Sequence, residues 1–380
     1  MRGPPSHQQS DGAPSGGLRM PLQRMTDRLV FLLVDLFVLV VYPREVIRLF
    51  KRNTRRGTNT WSISAPRVTN AKYSWRKLFD HDPRFNTVTD KLTVKRFVDE
   101  LGIAVTVPKT LWQGNPQELP PHFYKADVVI KASHGWGTNI YPGRDHLDRA
   151  ETDRLIKEAM SQNHGRRTNQ WAYYNLKPCL FVEERIVSSG PFVDLKIYSY
   201  GAQLRRIVQI RSFGNGKRLG GIWNRHESGQ FVLSKKPSSV SPEEIDTQPL
   251  PATLDRALEI SEQIGEHFDH MRIDFLAVDD RLYLGELTVY NLSGRENEGH
   301  RVDADSNRHW DLRRSWFLTT PQTGWHAIYA RALKRFCDRQ SKKTPALNRA
   351  GPVNAEQLQK GLAIARTLNT SIASRPEQTG

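Results

Sequence analysis

Two carboxylates twelve positions apart, Asp274 and Glu286, interrupt an otherwise apolar strand pattern, MRIDFLAVDDRLYLGELTVY at residues 271–290. Alternation on either side of Asp279 and Asp280 predicts a β-hairpin. With a three-residue turn, Asp279 to Arg281, Val278 faces Leu282, Leu276 faces Leu284, and Asp274 faces Glu286 on one side of the ladder. Opposed Cβ atoms lie within about 5.5 Å, and two carboxylates that close repel unless a cation sits between them. An oxygen-preferring divalent ion such as Mg²⁺ answers that need, commonly with substrate phosphates completing its shell. Two other arrangements stay open. One carboxylate is protonated or paired with Arg272, or a two-residue turn sends the pair to opposite faces.

Cationic groups that suit phosphate lie further upstream. Lys131 ends a strand-like run in DVVIKASHGWGTN (residues 127–139), just before Gly135 and Gly137. Glycines let backbone amides approach an anion, so this pattern suits a polyphosphate, although an ordinary strand and turn reads the same way. Neither GxxxxGK[ST] nor GxGxxG occurs. Lys91 stands at the start of a helical stripe (Leu92, Val94, Phe97, Val98, Leu101) with Gly102 placed to cap it and strand character from Ile103 to Val107. Downstream, LFVEERI (Leu180–Ile186) puts Glu183 and Glu184 on opposite faces of a strand. Phe192–Tyr200 and Leu204–Arg211 read as a hairpin about Gly201 that bears Asp194, Lys196 and Arg211. Carboxylates can accept from hydroxyl or amino groups, and Lys or Arg can hold phosphate. His267 and His270 are three apart, but no third His or Cys stands at ligand spacing, which favours a structural role at a helix end.

The elements that must position these groups belong to a chain of 380 residues, room for two or three domains. At 38% apolar it is too hydrophobic for wholesale disorder. Helical and strand periods alternate between Trp61 and Thr320, predicting a mixed α/β or α+β body. Two cysteines, Cys179 and Cys337, exclude a disulfide framework and a four-thiolate metal site, which fits a reducing cytoplasm. The net charge of +16 is carried at the ends: residues 1–60 hold 10 basic and 4 acidic side chains, residues 331–380 hold 10 and 3, and the remainder 36 and 33. A nearly neutral body with basic ends argues against a nucleic-acid enzyme and for surface tethers or solvated tails.

Residues 1–20 are rich in Pro, Gly, Ser and Gln and are expected to be disordered. Residues 21–60 form a hydrophobic and basic helical segment, 61–320 the body, 321–340 an amphipathic helix, and 341–380 a loose basic tail with one helix around Ala355 to Leu368. Leu29–Tyr42 is apolar except for Asp35 and has basic flanks, yet it is short of the roughly 20 residues a span needs and no small-residue cleavage site follows it. Three readings remain: a helix in the interface of an anionic membrane, a short or tilted anchor, or a helix docked on the body.

The order of these pieces resembles the ATP-grasp superfamily, and within it the TupA-like branch associated with teichuronopeptide and other cell-surface polymer synthesis. The likeness runs from about Tyr73 to Gly294 through Asp90–Lys91, Gly102–Pro108, VIKASHGWGTN, FVEERI and RIDFLAV…LYLGELT. It implies two α+β subdomains gripping ATP between antiparallel sheets, here preceded by a hydrophobic helix. Lys91 and Lys131 would contact the ATP phosphates beneath a loop containing Gly135 and Gly137. Glu183 or Glu184, with the backbone at Ile186, would meet the adenine, and Asp194, with Lys196, the ribose or phosphates. Asp274 and Glu286 would hold Mg²⁺; many relatives have Asn two positions after the metal Glu, where this chain has Thr288, leaving Asn291 as the candidate third ligand. Arg211 and Arg272 would steady the transferred phosphoryl group or a substrate carboxylate. The implied activity is an ATP-dependent carboxylate–amine ligase acting on an acidic sugar, amino acid or polymer; the cysteine usage fits the cytoplasm, and residues 29–42 are the candidate attachment to the inner membrane face. Phosphoryl transfer, glycosyl transfer and a non-catalytic basic scaffold are the alternatives.

Overall fold

Period-3.6 stretches open the chain and period-2 stretches fill its middle, and both appear as such in the computed structural model. It describes residues 22–54, 62–162, 164–213, 216–234, 245–294 and 307–375. The stretch 1–20, expected to be disordered, lies outside the described residues.

Helices α1 (Leu22–Val41) and α2 (Pro43–Thr54) come first, followed by α3 (Thr69–Phe79), α4 (Pro83–Thr89) and α5 (Thr93–Glu100). Gly102 ends α5 at φ +81°, the left-handed conformation expected of a capping glycine. Ile103–Val107, expected as a strand, contributes only one bridge, Thr106 to Tyr283. The first sheet has three antiparallel strands in the order β1-β3-β2: β1 (Thr110–Gly114), β2 (Val128–Ala132) and β3 (Leu180–Glu184). Helices α6 (Arg149–Ser161) and α7 (His164–Thr168) stand between β2 and β3 in the chain. This lobe has its own small core, including Phe123, Ile130, Ile156, Leu180 and Val182.

The second sheet is antiparallel in the order β7-β6-β5-β4-β8-β9. A meander of β4 (Phe192–Tyr200), β5 (Gln203–Ser212), β6 (Arg218–Arg225) and β7 (Phe231–Leu233) is extended across β4 by the hairpin β8 (Met271–Val278) and β9 (Arg281–Thr288). Helix α8 (Leu254–Glu266) packs on β4, β5 and β8, burying Ala257, Ile260 and Ile264. Gly265 is required there: a Cβ would stand 2.3 Å from the Gly201 carbonyl oxygen.

The β8–β9 hairpin corrects the expected register while keeping its outcome. Its turn has two residues, and Val278 pairs with Arg281, Ala277 with Leu282 and Phe275 with Leu284. Continued strictly, that ladder would leave Asp274 opposite Gly285. The register instead slips by one between Asp274 and Phe275, so Gly285 bulges and Asp274 pairs with Glu286.

Helices α9 (Trp316–Thr319), α10 (Gly324–Lys343) and α11 (Ala355–Ala373) follow. The helix expected around Ala355 to Leu368 is α11, but as far as residue 375 the tail is not loose: α11 packs on α4 and α5 and buries Leu358, Leu362, Ala365, Leu368 and Ile372. Helix α1 lies against α10, with the Phe31 ring edge-on to Tyr329 and Phe336 at 6.4 and 5.7 Å between centroids. Asp35, the one charge in its apolar run, accepts hydrogen bonds from the backbone N–H groups of Ile63 and Ser64. Among the described residues, no helix is long and apolar enough to cross a membrane.

Candidate active site

Strand alternation and the bulge at Gly285 put Arg272, Asp274, Glu286 and Thr288 on one face of the second sheet. The β4–β8 register, pairing Lys196 with Asp274, adds Lys196 and, two residues away, Asp194. The pairing with Arg272, one of the arrangements left open by sequence, is the one found. The Arg272 guanidinium donates to both oxygens of Asp274 (2.7 and 2.6 Å), to Glu286 Oε1 (3.0 Å), to Thr288 Oγ1 (3.0 Å) and to Asn291 Oδ1 (2.5 Å). Lys196 Nζ reaches Asp274 Oδ2 at 3.1 Å. Burial pushes the Asp274 carboxyl up, but Arg272 and Lys196 together hold it below the usual carboxylate range. Burial likewise raises Asp194.

These oxygens answer whether Mg²⁺ suits the site. Asp274, Glu286 and Asn291 already converge on one cationic group, and their donors are all of the hard oxygen type that Mg²⁺ takes. Asn291 is held in this orientation by its Nδ2, which donates to Tyr198 Oη at 2.8 Å. The residues therefore fit the ion, provided that Arg272 withdraws. The set is small: among the described residues no group of three or more His, Cys, Asp or Glu side chains is arranged to hold a metal. His270, the other metal-ligand suggestion, is buried between Tyr73 Oη (2.8 Å) and the Ser199 carbonyl (2.7 Å), and burial lowers its pKa to about 3.

The lysines come from the opposite lobe. On β2 and β3, Val129 pairs with Glu183 and Lys131 with Phe181, so Lys131 and Glu183 share a face and meet at 2.5 Å. Lys95, one helical turn beyond Lys91, reaches the same carboxylate at 2.6 Å. Burial pushes Glu183 up, and these two ammonium groups hold it below its ordinary value. Glu184 points the other way and accepts from the Lys109 N–H. Lys91 donates its backbone N–H to the Ser133 carbonyl at 2.9 Å, joining the turn before α5 to the root of the glycine loop. Burial pushes the Lys91 ammonium down to about 8; Glu286 across the cleft opposes the shift and Lys131 adds to it. Asp90, wholly buried, accepts from the N–H groups of Leu92 and Thr93 and takes a bidentate contact from Arg375 at 2.6 and 3.0 Å. Arg375 also donates to Ser133 Oγ at 3.1 Å, so one guanidinium ties down the lysine segment and the root of the glycine loop.

Two cavities flank these charges. The larger, of about 800 Å³, is lined by Lys131, Glu183, Glu184, Ile186 and Asp194, with Pro108, Val129, Phe192 and Leu276 supplying apolar walls. The smaller, of about 230 Å³, is lined by Lys91, Gly135, Trp136, Tyr173, Arg272 and Glu286. Gly137 lies beyond it on the exposed part of the loop, at φ +75°.

Arg211 is not brought to this cleft. The β4–β5 ladder slips by one residue between Tyr198 and Ser199, and beyond the slip Arg211 pairs with Val193, on the face opposite Asp194 and Lys196. There its Nε donates to the buried Asp246 at 3.0 Å, alongside Gln209. Arg211→Ala is therefore expected to change kcat/KM for ATP by less than about threefold. It should cost about 1–3 kcal/mol of stability through the disturbed Asp246 site. Steady-state kinetics beside a thermal melt checks both.

The sequence reading missed Lys95, which its i+4 spacing from Lys91 could have flagged. It also missed Gln170 and Tyr173, which line the smaller cavity, and, above all, Arg375, whose partner Asp90 is 285 positions away.

Two α+β lobes, each presenting an antiparallel sheet to a shared cleft, with lysines on one and a carboxylate hairpin on the other, define the ATP-grasp fold. The chain belongs to the TupA-like ATP-grasp family, whose profile matches residues 71–306. Among solved structures it is similar to D-alanine–D-alanine ligase from Bacillus anthracis complexed with ATP, at 13% identity over 67% of this chain and 68% of that one, TM-score 0.34. It is also similar to D-alanine–D-alanine ligase from Helicobacter pylori, at 13% identity over 58% and 60%, TM-score 0.32. A third likeness is to the ATP-grasp ligase PsnB complexed with precursor peptide PsnA2 and AMPPNP, at 14% identity over 80% and 75%, TM-score 0.32. The chain thus spans about 60 to 75% of the length of these proteins, and scores this low assign no substrate. No curated protein matches it.

Proposed function

We propose that this chain is an ATP-dependent carboxylate–amine ligase that forms an acyl phosphate and then an amide, acting in the cytoplasm on an intermediate of cell-surface polymer synthesis. The observation that carries the reading is that Lys91 of one lobe faces Glu286 of the other across the smaller cavity, with Lys131 beside Lys91 and Asp274 paired with Glu286. Membership of the TupA-like family supports the polymer context.

In this reading the adenine lies between the apolar walls of the larger cavity near Ile186 and Glu184, with Asp194 toward the ribose and Lys131 and Lys91 on the phosphates. Asp274, Glu286 and Asn291 would hold Mg²⁺, which when bound neutralises phosphate charge. A substrate carboxylate oxygen attacks the γ-phosphorus as the bond to ADP breaks. The amine then attacks the acyl carbon, phosphate leaves, and the amine proton passes to solvent. Arg272, freed from Asp274, orients the carboxylate, and Lys196 balances charge on the transferred group. Lys91 and Gly135 face the smaller cavity, where water must be kept from the acyl phosphate.

Product analysis tests this. The full chain is incubated with ATP, Mg²⁺ and a panel of acidic sugars, amino acids and amines. The expected result is ADP, phosphate and an amide in equal amounts. ADP with a phosphomonoester would make it a phosphotransferase, a nucleoside diphosphate released from a sugar donor would make it a glycosyltransferase, and no nucleotide binding would leave only a scaffold.

A further inference from the structure

Helix α1 buries one side on the protein and leaves the other side apolar. Asp27, Val34 and Val38 are buried, whereas Leu22, Met25, Leu29, Leu32, Leu33, Leu36, Phe37, Leu39, Val40 and Val41 are exposed, ten large apolar side chains on one 20-residue helix. The exposed surface continues onto neighbouring helices. Trp325 of α10 packs on Phe37 at 5.3 Å between centroids and is itself exposed, as is Ile328 one turn on. Ile47 and Phe50 of α2 are more than half exposed. Scattered single exposed leucines need no explanation, but a continuous apolar face of this extent on a soluble body does.

The charges on these helices are sorted by side. All three carboxylates of the described part of α1 and α2 are turned to the protein. Asp27 pairs with Arg335 and Arg339 at 2.6 and 3.0 Å, Asp35 takes the Ile63 and Ser64 amides, and Glu45 takes Ser74 Oγ at 2.8 Å. The exposed charges are Arg24, Arg28, Arg44 and Lys51, joined by Arg331 and Lys334 on α10. An apolar stripe whose exposed charged neighbours on α1 and α2, among the described residues, are all cations, with a tryptophan beside it, matches an anionic lipid surface. A second copy of the chain fits poorly, because a two-fold contact would set these cations against their own equivalents with no exposed carboxylate on α1 or α2 to answer them. Residues 1–21 hold only Met1, Leu18 and Met20 as large apolar side chains, too few to cover the face.

We propose that the outward face of α1, with Trp325 and Ile328 of α10 and Ile47 and Phe50 of α2, is a monotopic docking surface for an anionic bilayer. The helix lies in the interface plane, and its inner side is already committed to the body, so the enzyme's core is held flat against the membrane rather than tethered at a distance. This goes beyond the ligase reading and stands or falls separately from it.

The test is co-sedimentation of the full chain with extruded vesicles of phosphatidylcholine alone and of phosphatidylcholine with 30% phosphatidylglycerol. Partition into the anionic vesicles is expected to exceed that into neutral ones by at least about tenfold, as several arginines each add about fivefold. Leu33→Glu with Leu36→Glu, both at exposed positions, should abolish partition without lowering the melting temperature. Arg28→Gln with Arg44→Gln should reduce only the anionic preference. Equal binding to both vesicle types would overturn the charge argument. Failure to bind either, with light scattering reporting a dimer that the Leu33/Leu36 variant dissociates, would reassign the face to self-association; failure with a monomer would overturn the proposal outright. ATP turnover measured without vesicles is an independent readout.

Discussion

Lys131→Ala is expected to lower ATP-dependent turnover by about 10²–10³-fold, the usual consequence of removing one preorganised group that stabilises transferring charge. The melting temperature should move by no more than about 2 °C, because Lys131 is partly exposed and Glu183 keeps its 2.6 Å contact with Lys95. Glu286→Gln is the matching probe on the other lobe. Its carboxylate is substantially exposed and accepts only from Arg272 and Thr288 among the described residues, whereas Asp274 is buried under Arg272 and Lys196, so replacing Asp274 would mix folding with function. Glu286→Gln should abolish the Mg²⁺ dependence of nucleotide binding in calorimetry while the fold persists. Wild-type nucleotide affinity in both variants would remove the basis for placing ATP in this cleft.

Arg76→Leu should be the most damaging single change to stability, about 3–5 kcal/mol, or a fall in melting temperature of roughly 10 °C. Arg76 is wholly buried in α3. It donates to Asp269 at 2.5 Å and to the carbonyls of His270 and Val289, and it lies over the Trp310 ring at 4.5 Å. Removing it leaves two buried carboxylates. Asp269 retains the Trp310 indole N–H, but Asp80, already pushed up by burial and by Asp269, loses the guanidinium that opposed the shift. Because the His270 and Val289 carbonyls adjoin β8 and β9, the loss should reach the acidic hairpin; hydrogen exchange at Arg272–Asp274 checks this.

The sequence reading found the elements of the site, but two single-residue bulges decided its membership. Alternation located the β8–β9 and β4–β5 hairpins to within a residue or two. Which side chains share a face depends on register, and register depended on backbone irregularities that leave no pattern in residue type. At Gly285 the slip rescued the Asp274–Glu286 pair from a turn shorter than expected. In β5 a slip of the same size carried Arg211 to the far face. Arg272 was legible as a partner for the carboxylates, and the structure adopts that pairing. The α1 segment was read as lying on a membrane, anchored in it or docked on the body; the docking is plain because Asp27 and Asp35 find partners more than 25 positions away. Pairings at such separations are invisible to any periodicity.

The bidentate contact between Asp90 and Arg375 has a consequence for biogenesis. While the polypeptide is being made, the first lobe can collapse as soon as it leaves the ribosome, yet it must shelter an anion, Asp90, whose guanidinium partner lies 285 positions further along the chain and is still untranslated. The lysine segment therefore stays unlatched throughout elongation, and a working cleft forms only when α11 arrives and docks.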